Sequence, residues 1–450
     1  MASFSIINPY TNKIIESRHY EELANVDIKI EALQHGFSQW KKKGFENRKK
    51  TIKNLANGIS KQKDTLAELI CTDMGKPINE AKKEIQKSID CCKYYSDISH
   101  KIEQALNQNH IRREPLGIIL GIMPWNYPLW QIIRYAIPSL ITGNTCLIKP
   151  AFNTVRIAEE LVKICNNPEI MNLCIPTNDH TEEVIKKSSI AGVSFTGSVP
   201  AGKIVGGIST QHLKPCVLEL GGSDPFIVFK DANLETAINF AFQSRFTNAG
   251  QVCIAAKRFL FEDDIFESAL NLFKEKTQSM IHYGNPLNES TTIGPLARID
   301  IKNNLQIQLN NAELTKENIA YEYSTNDHLG NFFPPMIIDG RNLSSDNTLY
   351  QEETFGPIAV CDSFNSVNNA IEKANHSRFG LGASVWTSNK TTTNKCIENI
   401  ECGNIAINTN VHSSFDTPFG GRKQSGLGLE LGLEGALSFT GIKTILNKKS

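Results

Sequence analysis

From residue 115 onward the sequence alternates short β-branched runs with amphipathic stretches. That alternation restricts the fold more than any other feature. "PLGIILGIMPW" (115–125) has the length and isoleucine content of a buried strand. Residues 128–140 follow helical spacing and stop near Gly143, and "NTCLIKP" is strand-like again. "AGVSFTG" (191–197) runs straight into the helical "SVPAGKIVGGI". Strand followed by helix, repeated, predicts an α/β fold with a mostly parallel, doubly wound sheet. A second such region opens at Cys216, with strands "CVLELGG", "PFIVF", "AKRFLFE", "FGPIAVCDSF", "GASVWTS" and "GNIAIN". Helices are expected over 234–249 and up to about Met280. The first hundred residues read as mainly helical, with Leu55, Ile59, Leu66, Leu69 and Ile70 near helical spacing. Residues 303–331, rich in Asn, Glu and Thr, read as an exposed excursion.

Composition excludes several functional classes. Lysine plus arginine equals aspartate plus glutamate at 47 each, so nothing here favours a nucleic-acid or acidic-membrane partner. The longest apolar run, 116–125, is far short of the ~20 residues of a membrane span. The N-terminal "MASFSIINPYTNKII" lacks the charged and apolar regions of a secretory signal. Eleven cysteines, an odd number, fit free thiols in a reducing cytoplasm, so a cytoplasmic protein is expected. With no C-x-x-C and no H-x-x-x-H, no metal site is expected.

Four positions could carry chemistry. Cys253 in "GQVCIAAKR" is a potential thiolate nucleophile, although taken alone it reads as a small core residue. Glu219 lies in the apolar strand "LELGG", where burial raises a carboxyl pKa towards that of a general base. The competing reading pairs it with a nearby Lys or Arg. Asn126 in "PWNYP" sits in a proline-fixed turn from which an amide can donate to an oxyanion. In "SFTGSVPAG" a strand-to-helix turn offers N–H groups to a phosphate. "GLGLELG" (426–432) misses the dinucleotide G-x-G-x-x-G fingerprint by one residue, and no βαβ unit can follow it.

"PWNYP", "KPA", "FTGS", "ELGG", "GQVC", "EETFGP" and "PFGG" occur together and in this order. With them the chain resembles the NAD(P)-dependent aldehyde dehydrogenase superfamily from "INPYTNKII" to "KTILNK". Within it, "ELGGSDPFIV" and "GQVCIAAKRF" are most similar to bacterial succinate-semialdehyde dehydrogenases. The resemblance implies a coenzyme-binding domain (1–95 and 116–220), a catalytic domain (221–424) and a small β oligomerisation element (96–115 and 438–450). It also implies a homodimer or homotetramer, since an unpaired C-terminal strand edge is a liability in a monomer.

The same resemblance assigns roles. Cys253 is the nucleophile, Asn126 the oxyanion donor, and Glu219 the base that hydrolyses the thioester. Lys149, with Pro150, Ala151 and Phe152 after it, belongs to the adenosine ribose site. Thr196, Gly197 and Ser198 form the phosphate-side turn. Glu353 holds the nicotinamide ribose, Phe355 packs beside the ring, and Trp125 and Leu220 line the cleft. Phe152 replaces the glutamate of many NAD-preferring members and supplies no cation for a 2′-phosphate, so both NAD and NADP stay open. The segment between Lys149 and Gly197 is shorter than is usual in the family. Arg134, one turn after Trp130, is the implied reader of a distal substrate carboxylate, with help from Ser414 in the loop 412–415. A second arginine found in some relatives is Thr247 here, with Arg245 nearby in a different register. Succinate semialdehyde, or a similar ω-carboxy aldehyde, is the expected substrate. A broad aldehyde scavenger, a non-enzymatic protein on this scaffold and a cysteine hydrolase are the alternatives.

Overall fold

A computed structural model describes residues 2–108, 110–324 and 330–446. Two sheets organise the chain. The first has six strands in the order Gly426–Leu427, Cys216–Glu219, Ile190–Thr196, Ile118–Ile122, Thr145–Lys149 and Met171–Leu173. All its pairs are parallel except that of Gly426–Leu427 with Cys216–Glu219. Ile118–Ile122 is the central strand and is almost wholly buried. The next two strands of the chain are added on one side of it, and the chain then returns to add Ile190–Thr196 on the other. That reversal creates a switch point, where α/β sheets open a crevice beyond the carboxyl ends of the strands. "PWN" follows one of the two strands at this point and "GS" follows the other.

The second sheet has seven strands, in the order Ile319–Glu322, Met336–Asp339, Ile358–Phe364, Ala256–Glu262, Asp224–Val228, Gly382–Trp386 and Asn404–Ile407. Only its first pair is antiparallel. Every residue of Asp224–Val228 is buried, as expected of a strand covered on both faces. The chain passes from one sheet to the other between Glu219 and Asp224. A three-stranded antiparallel sheet, Thr440–Thr444, Ile111–Pro115 and Asn107–Gln108, stands apart from both.

Four regions differ from the sequence expectation. "CVLELGG", expected to open the second α/β region, is the strand Cys216–Glu219 of the first sheet. A β-hairpin, Ser3–Ile7 with Ile14–His19, precedes the helices of the first hundred residues. The excursion expected over 303–331 contains most of the helix Ile299–Asn311 and the edge strand Ile319–Glu322; residues 325–329 lie outside the described residues. That helix buries only Leu305, so its apolar periodicity is faint. The helix expected over 234–249 stops at Phe246, because Asn248 and Ala249 take left-handed φ values of 54° and 52°.

Candidate active site

Two cavities meet at Cys253. The first, about 300 Å³, opens at the switch point and is bounded by Trp125, Asn126, Thr196, Gly197, Ser198, Leu220, Glu353 and Phe355. The second, about 380 Å³, lies between the helices Ile78–Asp97 and Trp130–Thr142, the nucleophile loop and residues 410–413. Cys253 and Gln131 line both.

Strained backbone aims the nucleophile. Asn248, Ala249 and Gly250 are three consecutive residues with positive φ, and each non-glycine one costs about 1–3 kcal/mol and persists only where its surroundings fix it. The surroundings do so. The buried Arg245 guanidinium donates to the carbonyls of Gly250 (2.9 Å) and Ala256 (3.0 Å), and also to that of Gly356. Arg245 is therefore a loop clamp and is absent from the substrate-side wall. Gly250 is required twice over, by its φ of 75° and because a Cβ there would collide with the Gly356 carbonyl. On the other side of the nucleophile, the buried Lys257 ammonium donates to the carbonyls of Cys253 (2.6 Å) and Val252 (3.2 Å).

Burial pushes the Cys253 thiol up to about 11, against the opposing pull of Arg134 and Lys257. It also pushes the Glu219 carboxyl well above its ordinary range; Arg134 lowers it and Glu430 raises it further. Neither Glu219 oxygen has a hydrogen-bond partner among the described residues. A buried carboxyl with unused acceptors can take a proton from an entering water.

Asn126 is held by a buried polar network that sequence reasoning missed. Its carbonyl accepts from Lys76 Nζ (2.8 Å) and Asn248 Nδ2 (3.1 Å). Its own Nδ2 donates to the Gln251 carbonyl (3.0 Å), and the amide has a second N–H. Lys76 forms a fully buried ion pair with Glu84 and lies 3.5 Å from the Tyr127 ring centroid. The other Glu84 oxygen accepts the N–H groups of Leu129 and Trp130 (3.0 Å each), capping the helix Trp130–Thr142. In sequence, "DMGKP" carries only the signal of a helix end.

The first cavity has features suited to a phosphate and a ribose. Its wall includes Ser198, the N-cap of the 13-residue helix Val199–Gln211, whose side chain makes no capping bond. The N–H groups of that first turn suit a pyrophosphate. Glu353 accepts the Gly222 N–H (3.1 Å) and lies 3.7 Å from Lys257 Nζ, and burial raises its pKa. A Cβ at Gly221 would push the Glu353 carboxylate out of its present position. Trp125 and Phe355 meet edge to face with centroids 5.6 Å apart. Lys149, at the end of its strand beside Ile122, and Pro150 and Ala151 lie beyond this wall. Phe152 turns elsewhere. Its ring packs against Phe4 at 5.9 Å and under the Arg298 guanidinium at 5.3 Å.

The second cavity is differently made. Arg134 lines it, but its guanidinium forms an ion pair with the buried Glu430 and donates to Thr196 Oγ1 (3.2 Å). The stretch dismissed as a failed dinucleotide fingerprint thus supplies Arg134's counter-ion. The Ser414 hydroxyl bonds Asp416, and it is Ser413 that faces the cavity, accepting from Lys87 Nζ (2.6 Å). Lys87 also lies 4.4 Å from the Trp130 ring centroid. Sequence reasoning passed over Lys87, because a lysine facing inward on an amphipathic helix looks like one on a solvated face.

Comparison with known proteins agrees with this geometry. Residues 2–445 match the aldehyde dehydrogenase family. The chain is 34% identical over 449 residues to a succinate semialdehyde dehydrogenase (NAD(P)+) of Escherichia coli, covering 98% of this chain and 96% of that one. The chain belongs to the aldehyde dehydrogenase family. Among solved structures it is similar to succinic semialdehyde dehydrogenase from Streptococcus pyogenes in complex with NADP+. That match has 30% identity and a TM-score of 0.93, over 99% of this chain and 100% of that one. It is also similar to a variant betaine aldehyde dehydrogenase of Staphylococcus aureus with NAD+ bound. Here the identity is 27% and the TM-score 0.90, over 98% of this chain and 92% of that one. These aldehyde dehydrogenases share the two-sheet α/β architecture described above. In this member, no helix among the described residues is long and apolar enough to cross a membrane.

Proposed function

We propose that this aldehyde dehydrogenase oxidises succinate semialdehyde, or a similar short ω-carboxy aldehyde, to the carboxylic acid with NAD+ or NADP+. The observation that carries the reading is the position of Cys253, shared by the switch-point cavity and a second cavity with basic side chains in its wall. Similarity to enzymes named for this substrate supports it.

Cys253 gives up its proton to solvent and its thiolate attacks the aldehyde carbonyl carbon, forming a thiohemiacetal. The carbonyl oxygen becomes an oxyanion, held by the remaining Asn126 N–H and the Cys253 main-chain N–H. Bound NAD+ or NADP+ supplies a nicotinamide ring as hydride acceptor. Loss of hydride from the former aldehyde carbon leaves a thioester on Cys253. Glu219 then takes a proton from water, the resulting hydroxide attacks the thioester, and the C–S bond breaks to release the acid and the thiolate. Glu353 and the first turn of Val199–Gln211 hold the ribose and pyrophosphate, with Lys149 on the adenosine side. Arg134 and a serine of the late loop contribute to the wall that receives the distal carboxylate.

Residues 1–95 and 116–220 form the coenzyme-binding domain in this reading, 221–424 the catalytic domain, and 96–115 with 438–450 the bridging element. The enzyme is cytoplasmic and acts as a homodimer or homotetramer. Support comes from Thr440–Thr444, an edge strand of the three-stranded sheet on which Ile442 stays 60% exposed. Initial rates for a panel of aldehydes with each cofactor test the substrate claim. Succinate semialdehyde is expected to exceed butyraldehyde in kcat/KM by tenfold or more, on the order of one charge-assisted hydrogen bond. Equal values would reject carboxylate recognition.

A further inference from the structure

The geometry points to Lys87 as the side chain that takes the distal carboxylate of the substrate. This rests on the proposed ω-carboxy aldehyde reading and assigns the charge that reading requires.

A substrate carboxylate in a sheltered cavity needs a cation not already neutralised. Arg134 is committed, since Glu430 pairs with it and Thr196 takes a further donor. Lys76 is committed to Glu84 and does not line the cavity. Lys83 lines the cavity from an exposed position. Lys87 lines it from a half-buried position and has no acidic partner within salt-bridge distance among the described residues. Its ammonium is braced by the Trp130 ring and donates to the Ser413 hydroxyl, and three N–H donors leave capacity for a carboxylate. Cys253 lies in the same wall, close enough for its ionisation to be felt at Lys87. The cavity thus has a nucleophile for the aldehyde end and an unpaired cation for the acid end.

A pH signature follows. Burial, with the like charge of Arg134, pulls Lys87 down to about 8, so its charge is present below that pH and is lost as pH rises through it. Glu84 and Cys91 on its own helix and Cys253 on the nucleophile loop act in the opposite direction. Glu80, Lys83 and Tyr127, with His412 across the cavity, complete its charged or titratable lining.

The test is kcat/KM for succinate semialdehyde and for butyraldehyde in the wild type, Lys87→Met and Lys87→Arg, with a pH series on the wild type. The ratio of the two substrates should fall about 10- to 100-fold in Lys87→Met and recover largely in Lys87→Arg. In the wild type, KM for succinate semialdehyde should rise above pH ~8 relative to that for butyraldehyde, as an amine titrating near that pH requires. This readout does not depend on any variant folding. An unchanged ratio in Lys87→Met, or parallel KM profiles through pH ~9.5, would overturn the assignment of Lys87 while leaving the substrate reading in place. A wild-type ratio near one would overturn the substrate reading itself, and the role of Lys87 with it.

Discussion

The two cavities that meet at Cys253 are built on opposite principles. The nucleotide side is made largely from short loop segments beside the sheets, Trp125-Asn126, Thr196-Gly197-Ser198, Leu220-Gly221 and Glu353 with Phe355, faced by Ile301, Asn304, Leu305 and Gln308 of the helix Ile299–Asn311. Its chemistry is largely backbone N–H groups, glycines without a Cβ, and one carboxylate. The substrate side is made mainly from side chains on three helices, among them Lys87, Arg134 and Gln243, together with the nucleophile loop and the late loop that carries Ser413. The sheets fix the loops of the first wall, so their residues stay contiguous. The second depends on helix packing, so its residues lie far apart in the chain and can be exchanged one by one. One wall suits a cofactor common to many reactions, and the other suits a substrate that varies.

Substitutions can break that contrast or sharpen it. The largest effect belongs to the residue both walls share. Cys253→Ser should lower steady-state reduction of NAD(P)+ by about ten-thousand-fold with every aldehyde, since it removes the nucleophile and not a specificity contact. Asn126→Ala, at the junction, should lower kcat by about 100- to 1,000-fold with a smaller change in KM, because the amide binds the oxyanion more tightly than the aldehyde. Lys76→Met touches neither cavity directly. It leaves Glu84 charged and fully buried without its partner, a loss of about 3–5 kcal/mol that a thermal or denaturant melt will register. Activity should fall for acidic and neutral aldehydes alike, because the turn carrying Asn126 loses its brace. The smallest effect is on the cofactor side. Phe152 offers neither a ribose acceptor nor a cation, so kcat/KM for NAD+ and NADP+ should agree within about tenfold. A larger preference would place a discriminating group elsewhere on the adenosine side.

The same contrast decides what the sequence made legible. Strands such as Asp224–Val228 coincide with a short apolar run, here "PFIVF" at 225–229, and that run found them almost to the residue. The hairpin Ser3–Ile7 and Ile14–His19 was missed because its exposed positions break any apolar pattern. Trp125, Asn126, Gly197 and Glu353 were legible because each sits in a contiguous motif, the first three just after a strand and Glu353 in the loop before Ile358–Phe364. Lys87 and Glu430 were not. One is an ordinary lysine on an amphipathic helix, and the other lies in a glycine-rich stretch that looked like a damaged phosphate loop. Only packing reveals that Glu430 holds Arg134 and that Lys87 has no such partner. Arg134 itself was read from the family pattern, and its commitment to a counter-ion more than two hundred residues away could not be.

Glu219→Gln offers the most direct test of a two-step mechanism on a shared cysteine. Mixed rapidly with NADP+ or NAD+ and succinate semialdehyde, this variant should give a burst of one reduced nicotinamide per subunit and then stall. Peptide mass spectrometry of the stalled enzyme should find a succinyl thioester on Cys253. A variant that turns over without a burst, or carries the acyl group on any residue other than Cys253, would contradict the account.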